Sequence, residues 1–214
     1  MWDIYLHFAL LLANLLLWGA CYRSLLRPLR VLGATLALTL LLEGYAAYLM
    51  WHLMRNLYLY HLLTPVQYAG YALVFYQALK PGLPAKAIRS SIPLFLLVSL
   101  FFALLQGTDT FNSYASSLKH LLLAGCALMY YYDIFTHLSE ARLHTAPLFW
   151  VSTGLLFHSL GNFFLYGLMN TLLVESFELA HLLYYFSEFL GYLLYLTFLI
   201  AFLLGSKQAL RPAT

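Results

Sequence analysis

The chain has 214 residues, 63% of them hydrophobic and 9% charged, with a mean hydropathy of +0.79. A soluble domain of this length has too few core positions to hide so much apolar surface, so most of the chain must meet lipid. The net charge of +3 comes from eleven Lys and Arg scattered between apolar runs, which gives no basic patch for nucleic acid and leaves the bilayer as the first partner.

A helical span needs about 20 apolar residues, and seven such runs are predicted, at roughly 3–22, 31–54, 62–79, 91–107, 118–137, 147–171 and 178–204. They are continuously apolar, unlike the short alternating segments of a transmembrane β-barrel. The expected fold is therefore all-α: a polytopic membrane protein forming one seven-helix domain over 1–214. Loops of roughly ten residues at most leave no room for a soluble domain.

The first run opens on Met1-Trp2-Asp3-Ile4-Tyr5 without a positive charge, and Trp18 stands where a lipoprotein box ending at Cys21 would want an aliphatic residue; it is expected to be retained. Cys21 and Cys126 have no disulfide or metal spacing and read as packing residues. The second run carries Glu43 near its middle. The third carries Gln67 and Tyr71 and stops at Lys80-Pro81-Gly82-Leu83-Pro84. The fourth is nearly featureless. The fifth begins with Lys119 and His120 and ends near Asp133. The sixth opens at Pro147 and carries His158, Asn162 and Tyr166 four residues apart. On the seventh, His181, Tyr184 or Tyr185, Glu188, Tyr192 and Tyr195 fall on one helical stripe.

Positive charge holds loops in the cytoplasm. Arg23, Arg27, Arg30, Lys80, Lys86, Arg89, Arg142, Lys207 and Arg211 fall on one side of the expected bundle, against Arg55 and Lys119 on the other, where Asp3, Asp109, Glu175 and Glu178 also fall. This predicts an N-terminus outside, a C-terminus inside, and a multi-pass protein of the inner (plasma) membrane.

A faint internal likeness relates 3–80 to 118–204 with 91–107 as linker, a parallel 3+1+3 repeat. His7-Phe-Ala-Leu-Leu-Leu-Ala13 parallels His120-Leu-Leu-Leu-Ala124, and Gln67-Tyr-Ala-Gly70-Tyr71 parallels Glu188-Phe-Leu-Gly191-Tyr192. Glu43 precedes Met54 by eleven residues, as His158 precedes Met169.

An ionisable group within a span is costly and marks a functional position by default. Glu43 and Glu188 qualify, either as interhelical hydrogen-bonding groups or as proton carriers and ligand anchors. With Gln67, Tyr71, His158, Asn162, Tyr166, Tyr185 and Tyr192 they are expected to line a polar, aromatic-walled cavity opening outward. Trp2, Trp51, Tyr58 and Tyr60 read as interfacial belt residues. His7, His52, His61, His120 and His181 all map to the outer helix ends. They suit either interfacial hydrogen bonding or a Zn site, although no HxxxH or HExxH pair supports the metal. No other cofactor is expected: the last span has no lysine for a retinal Schiff base, and phosphate loops and nucleophile elbows are absent.

Two stretches, Asn56-Leu-Tyr-Leu-Tyr-His61-Leu-Leu-Thr-Pro65-Val-Gln67-Tyr68 and Phe149-Trp150 with Gly154, Phe157-His158 and Gly161-Asn162-Phe163-Phe164, resemble an uncharacterised bacterial family of seven-helix proteins. The resemblance implies a sensor or receptor module that accompanies histidine kinases. The chain departs from that pattern at Gln67, where an acid is usual, and at His158, where a tyrosine is usual. Its layout is also similar to the 3+1+3 sugar transporters.

Three functions follow as expectations. The first is a sensor that binds a small amphipathic or lipid-like molecule and signals to a cytoplasmic partner or a second copy. The second is a transporter coupled to protons through Glu43 and Glu188. The third, an intramembrane enzyme using a metal on the outer histidines, has the least sequence support.

Overall fold

The computed structural model describes residues 2–137 and 143–209, without the side chains of 2, 137, 208 and 209. The charges expected at Arg142 and Arg211 and the belt position of the Trp2 side chain lie outside the described residues. Among the described residues there are seven long helices, α1 Trp2–Cys21, α2 Arg27–Trp51, α3 Leu57–Ala78, α4 Leu83–Gln106, α5 Ser113–His137, α6 Pro147–Glu175 and α7 Phe177–Ala209, and a 3-10 turn at Leu143–Thr145. No strand occurs among the described residues.

Most helices start earlier than the apolar runs predict, α4 by eight residues and α5 by five. An apolar run marks where lipid contact begins, whereas the helix begins wherever its first turn can be satisfied. Pro28, Pro84 and Pro147 occupy first-turn positions, where the missing N–H is no loss. α2 ends on a Schellman pair, with the Met54 N–H donating to Leu49 O at 2.9 Å and the Leu53 N–H to Met50 O at 3.0 Å. Leu53 adopts φ 56° there, a left-handed conformation usually given to glycine.

Five helices, α1, α2, α4, α6 and α7, are long and apolar enough to cross a membrane. α3 and α5 are less apolar because they carry Thr64, Gln67, Ser116, Lys119 and His120 toward the bundle interior.

α1 packs on α2, α2 on α3, α3 on α5, α5 on α6, α6 on α7, and α7 back on α1, while α4 rests outside on α3 and α5. Six helices thus close a ring and α4 is peripheral. Its Leu94, Leu97, Leu100, Leu104 and Leu105 are largely exposed, as suits an apolar stretch that faces lipid. α1 and α7 run parallel, for His7 meets Glu188 and, seven residues on, Asn14 meets Tyr195.

Between apolar helices in lipid, close packing and polar bonds replace the hydrophobic drive, so small residues gather at crossings. A Cβ on Gly70 would run into Thr35, one on Gly154 into Thr197, and one on Gly33 into Trp18. Asn14 spans α1 and α7, its Nδ2 donating to Leu10 O at 2.9 Å and Tyr195 O at 3.1 Å. The core fills the half of the ring away from the N-terminus, where Leu29, Leu32, Leu36, Phe75, Phe198 and Phe202 are completely or almost completely buried. The other half is hollow.

Candidate functional site: a polar cavity in the amino-terminal half of the ring

The hollow is a cavity of about 550 Å³ with contributions from α1, α2, α3, α5, α6 and α7. This lies within the usual range for a small-molecule site. Tyr71, Leu123, Leu155, Leu194 and Tyr195 line it on the side facing the packed half and are all buried. The α4–α5 connection crosses its rim. Asn112 Nδ2 donates to Thr64 Oγ1 at 3.1 Å on α3, and Asn170 Nδ2 on α6 donates to Phe111 O at 3.0 Å. His61 Nε2 lies 3.1 Å from Thr110 O on the same connection.

Glu43 and Glu188 come from helices α2 and α7 and meet on one imidazole of α1. His7 Nε2 is 2.8 Å from Glu43 Oε2, and His7 Nδ1 is 3.6 Å from Glu188 Oε2. A neutral imidazole has a single N–H, so one carboxylate would face a lone pair; the imidazolium presents a proton to each. The carboxylates sit on opposite ring nitrogens, which suits proton sharing rather than chelation of one ion.

Across the cavity, Lys119 Nζ donates to Gln67 Oε1 at 2.8 Å. The His120 ring lies 5.2 Å from that of His158 and 5.1 Å from that of Tyr166. Apolar wall between these groups comes from Leu63, Leu123, Leu155, Met169 and Leu173.

Of the residues expected in the site, Glu43, Gln67, Tyr71, His158, Tyr166 and Glu188 line the cavity, and Asn162, Tyr185 and Tyr192 do not. Successive residues of a helix turn by about 100°, so Tyr184, one position before Tyr185, reaches the cavity, while Tyr185 is half-exposed and packs against His181 with the ring planes tilted by 51°. Tyr192 turns toward α1, donating to Asp3 O at 3.2 Å. Asn162 is fully buried behind the wall, its Nδ2 donating to His158 O at 2.9 Å. Tyr60, expected in the interfacial belt, lines the cavity instead; Tyr58 and Trp51 face outward.

The five outer histidines do not gather into one cluster. His7, His120 and His181 line the cavity, His61 binds the α4–α5 connection, and His52 is exposed at the end of α2 with Nδ1 2.8 Å from Tyr48 O. Among the described residues no three His, Cys, Asp or Glu side chains are arranged to hold a metal ion.

Lys119 also lines the cavity and is not among the residues expected there. With α5 expected to start at 118, Lys119 sits at a helix end beside water; with α5 starting at Ser113, it lies on the second turn inside the ring. The available signal was Asn112-Ser113, a helix-starting pair ahead of the apolar run. No family model, curated protein or solved structure matches the chain.

Proposed function

We propose that this protein is a membrane-embedded, receptor-like module of seven transmembrane helices, with its N-terminus outside, that takes a small amphipathic or lipid-like ligand into the cavity. The observation that carries this reading is a cavity of about 550 Å³ with mixed polar and apolar walls, backed by a packed half. A ligand entering from the amino-terminal side meets charge, aromatic edges and alkyl wall together, then a floor. Binding is then expected to alter helix contacts rather than to pass the ligand through. The basic helix ends and connections at the far end offer a surface to a cytoplasmic signalling partner or a second copy, in keeping with the sensor-like family that the two motifs resemble.

The test is ligand stabilisation. A bound amphipath at about 100 times its dissociation constant stabilises the folded state by about 2.7 kcal/mol. Gly191 lines the cavity with open space at its Cβ position, so Gly191→Trp is expected to fold normally and fill the site. Single-chain amphipaths should raise the melting temperature of the wild type in lipid nanodiscs and leave that of Gly191→Trp unchanged. Equal shifts in both proteins would trace the effect to the bilayer and end the reading.

A second reading, a proton-coupled transporter, draws support from the imidazole held between two glutamates and from the helix ring. A parallel duplication pairs α1 with α5, α2 with α6 and α3 with α7, and the ring order α1, α2, α3, α5, α6, α7 is one that a two-fold axis would produce. Substrate flux in proteoliposomes that is abolished by Glu43→Gln and Glu188→Gln would favour it over the receptor.

A further inference from the structure

The cavity holds more hydrogen-bonding capacity on α5 than the protein uses. Lys119 is 8% exposed, and its ammonium, with three N–H donors, has Gln67 Oε1 as a neutral partner. Among the described residues no carboxylate lies within 4.0 Å of it, since Glu43 and Glu188 both gather on His7 and Asp109 pairs with Arg55. A buried cation with no carboxylate in direct contact is costly, and ionisable groups in such places answer to a ligand or an ion path. The neighbouring His120 is 1% exposed, and neither of its ring nitrogens has a hydrogen-bond partner. Each neutral tautomer therefore keeps one N–H unused in the cavity wall. Leu123 and Leu155 line the same cavity as apolar contact surface.

We infer that Lys119 and His120 seat the anionic head group of the ligand, a carboxylate on a single apolar chain, with the chain lying against the leucine and methionine wall. The inference rests on the cavity being a ligand site and adds the chemistry of the ligand. A carboxylate accepts from the Lys119 ammonium and the His120 N–H at once and supplies a counter-charge in direct contact. On the opposite wall the His7 imidazolium meets both glutamates and offsets one of their two charges, so the anion faces one net negative charge there rather than two bare carboxylates.

The experiment is equilibrium binding of radiolabelled dodecanoate, dodecanol and dodecyltrimethylammonium to the full chain in phosphatidylcholine nanodiscs. Wild type should prefer dodecanoate to both others by about tenfold or more, the usual scale of a charge-assisted hydrogen bond. Lys119→Met should remove that preference while leaving dodecanol within about threefold, and Lys119→Arg should retain it. Wild-type binding that is equal for dodecanoate and dodecanol, or strongest for the cation, overturns the anionic seat while the cavity stands, and this comparison needs no variant to fold. Saturable binding of none of the three that is sensitive to Gly191→Trp overturns the cavity reading and the seat with it.

Discussion

His7 Nε2 lies 2.8 Å from the Glu43 carboxylate, and this contact joins the first helix to the second at the level where Glu188 of the last helix approaches the other ring nitrogen. The first two helices and the last are thereby held by one side chain, and the ring closes on this cluster as well as on the Asn14 contact with α7.

Replacing His7 with Phe leaves two carboxylates facing each other. Removing one partner of a fully buried pair costs about 3–5 kcal/mol. These side chains keep 16–21% exposure to the cavity, so a loss nearer about 2 kcal/mol is expected after solvent screening. The melting temperature should fall by several degrees, and adding Glu43→Gln to His7→Phe should recover much of it. A His7→Phe protein as stable as wild type would mean that cavity water, not the imidazole, compensates the glutamates.

Leu53 is a site for stabilisation. It holds φ 56° at the end of α2 and is 96% exposed, so its side chain contributes almost no packing. Left-handed backbone costs a non-glycine residue about 1–2 kcal/mol, of which the greater chain entropy of glycine takes back part. Leu53→Gly should therefore stabilise by about 0.5–1 kcal/mol, read as a higher thermal midpoint in matched nanodiscs. A lower midpoint would show that the Schellman turn is not limiting at this helix end.

The glycines divide into two groups that should behave oppositely. A Cβ on Gly70 or Gly154 collides with Thr35 or Thr197, whereas one on Gly44 or Gly125 meets nothing within 4 Å. Gly70→Ala and Gly154→Ala should each cost about 1–3 kcal/mol by forcing helices apart. Gly44→Ala and Gly125→Ala should be neutral or gain several tenths of a kcal/mol from helix propensity. Thermal unfolding of the four variants side by side checks this, and a uniform response would argue against tight α2–α3 and α6–α7 crossings.

The helices were legible because a long apolar run has few alternatives, and of the residues expected on α6 and α7, His158, Tyr166 and Glu188 line the cavity whereas Asn162 lies behind its wall. Tyr185 and Tyr192 lie off the cavity because a stripe drawn through every polar residue is wider than the strip that faces it; one position of helical turn separates Tyr184 from Tyr185. Lys119 was illegible for a different reason. Hydropathy locates the lipid boundary, and a helix that begins five residues before that boundary carries its first charged residue into the bundle. The meeting of His7 with Glu43 and Glu188 was illegible in principle, because it depends on which helices are neighbours and at what height, and no local pattern encodes either.

Orientation can be read by chemical access. Leu53, 96% exposed, lies in the α2–α3 connection, and Leu83, 83% exposed, begins α4 after the basic α3–α4 connection. The excess of Lys and Arg at the second end predicts that it is cytoplasmic. Cys126 is buried and Cys21 only partly accessible, so both can be replaced by Ala to give a background with low labelling. On intact cells, a membrane-impermeant maleimide should label Leu53→Cys and not Leu83→Cys, and lysis should expose the latter. The reverse pattern would turn the cavity toward the cytoplasm, and the ligand would then have to be an intracellular amphipath.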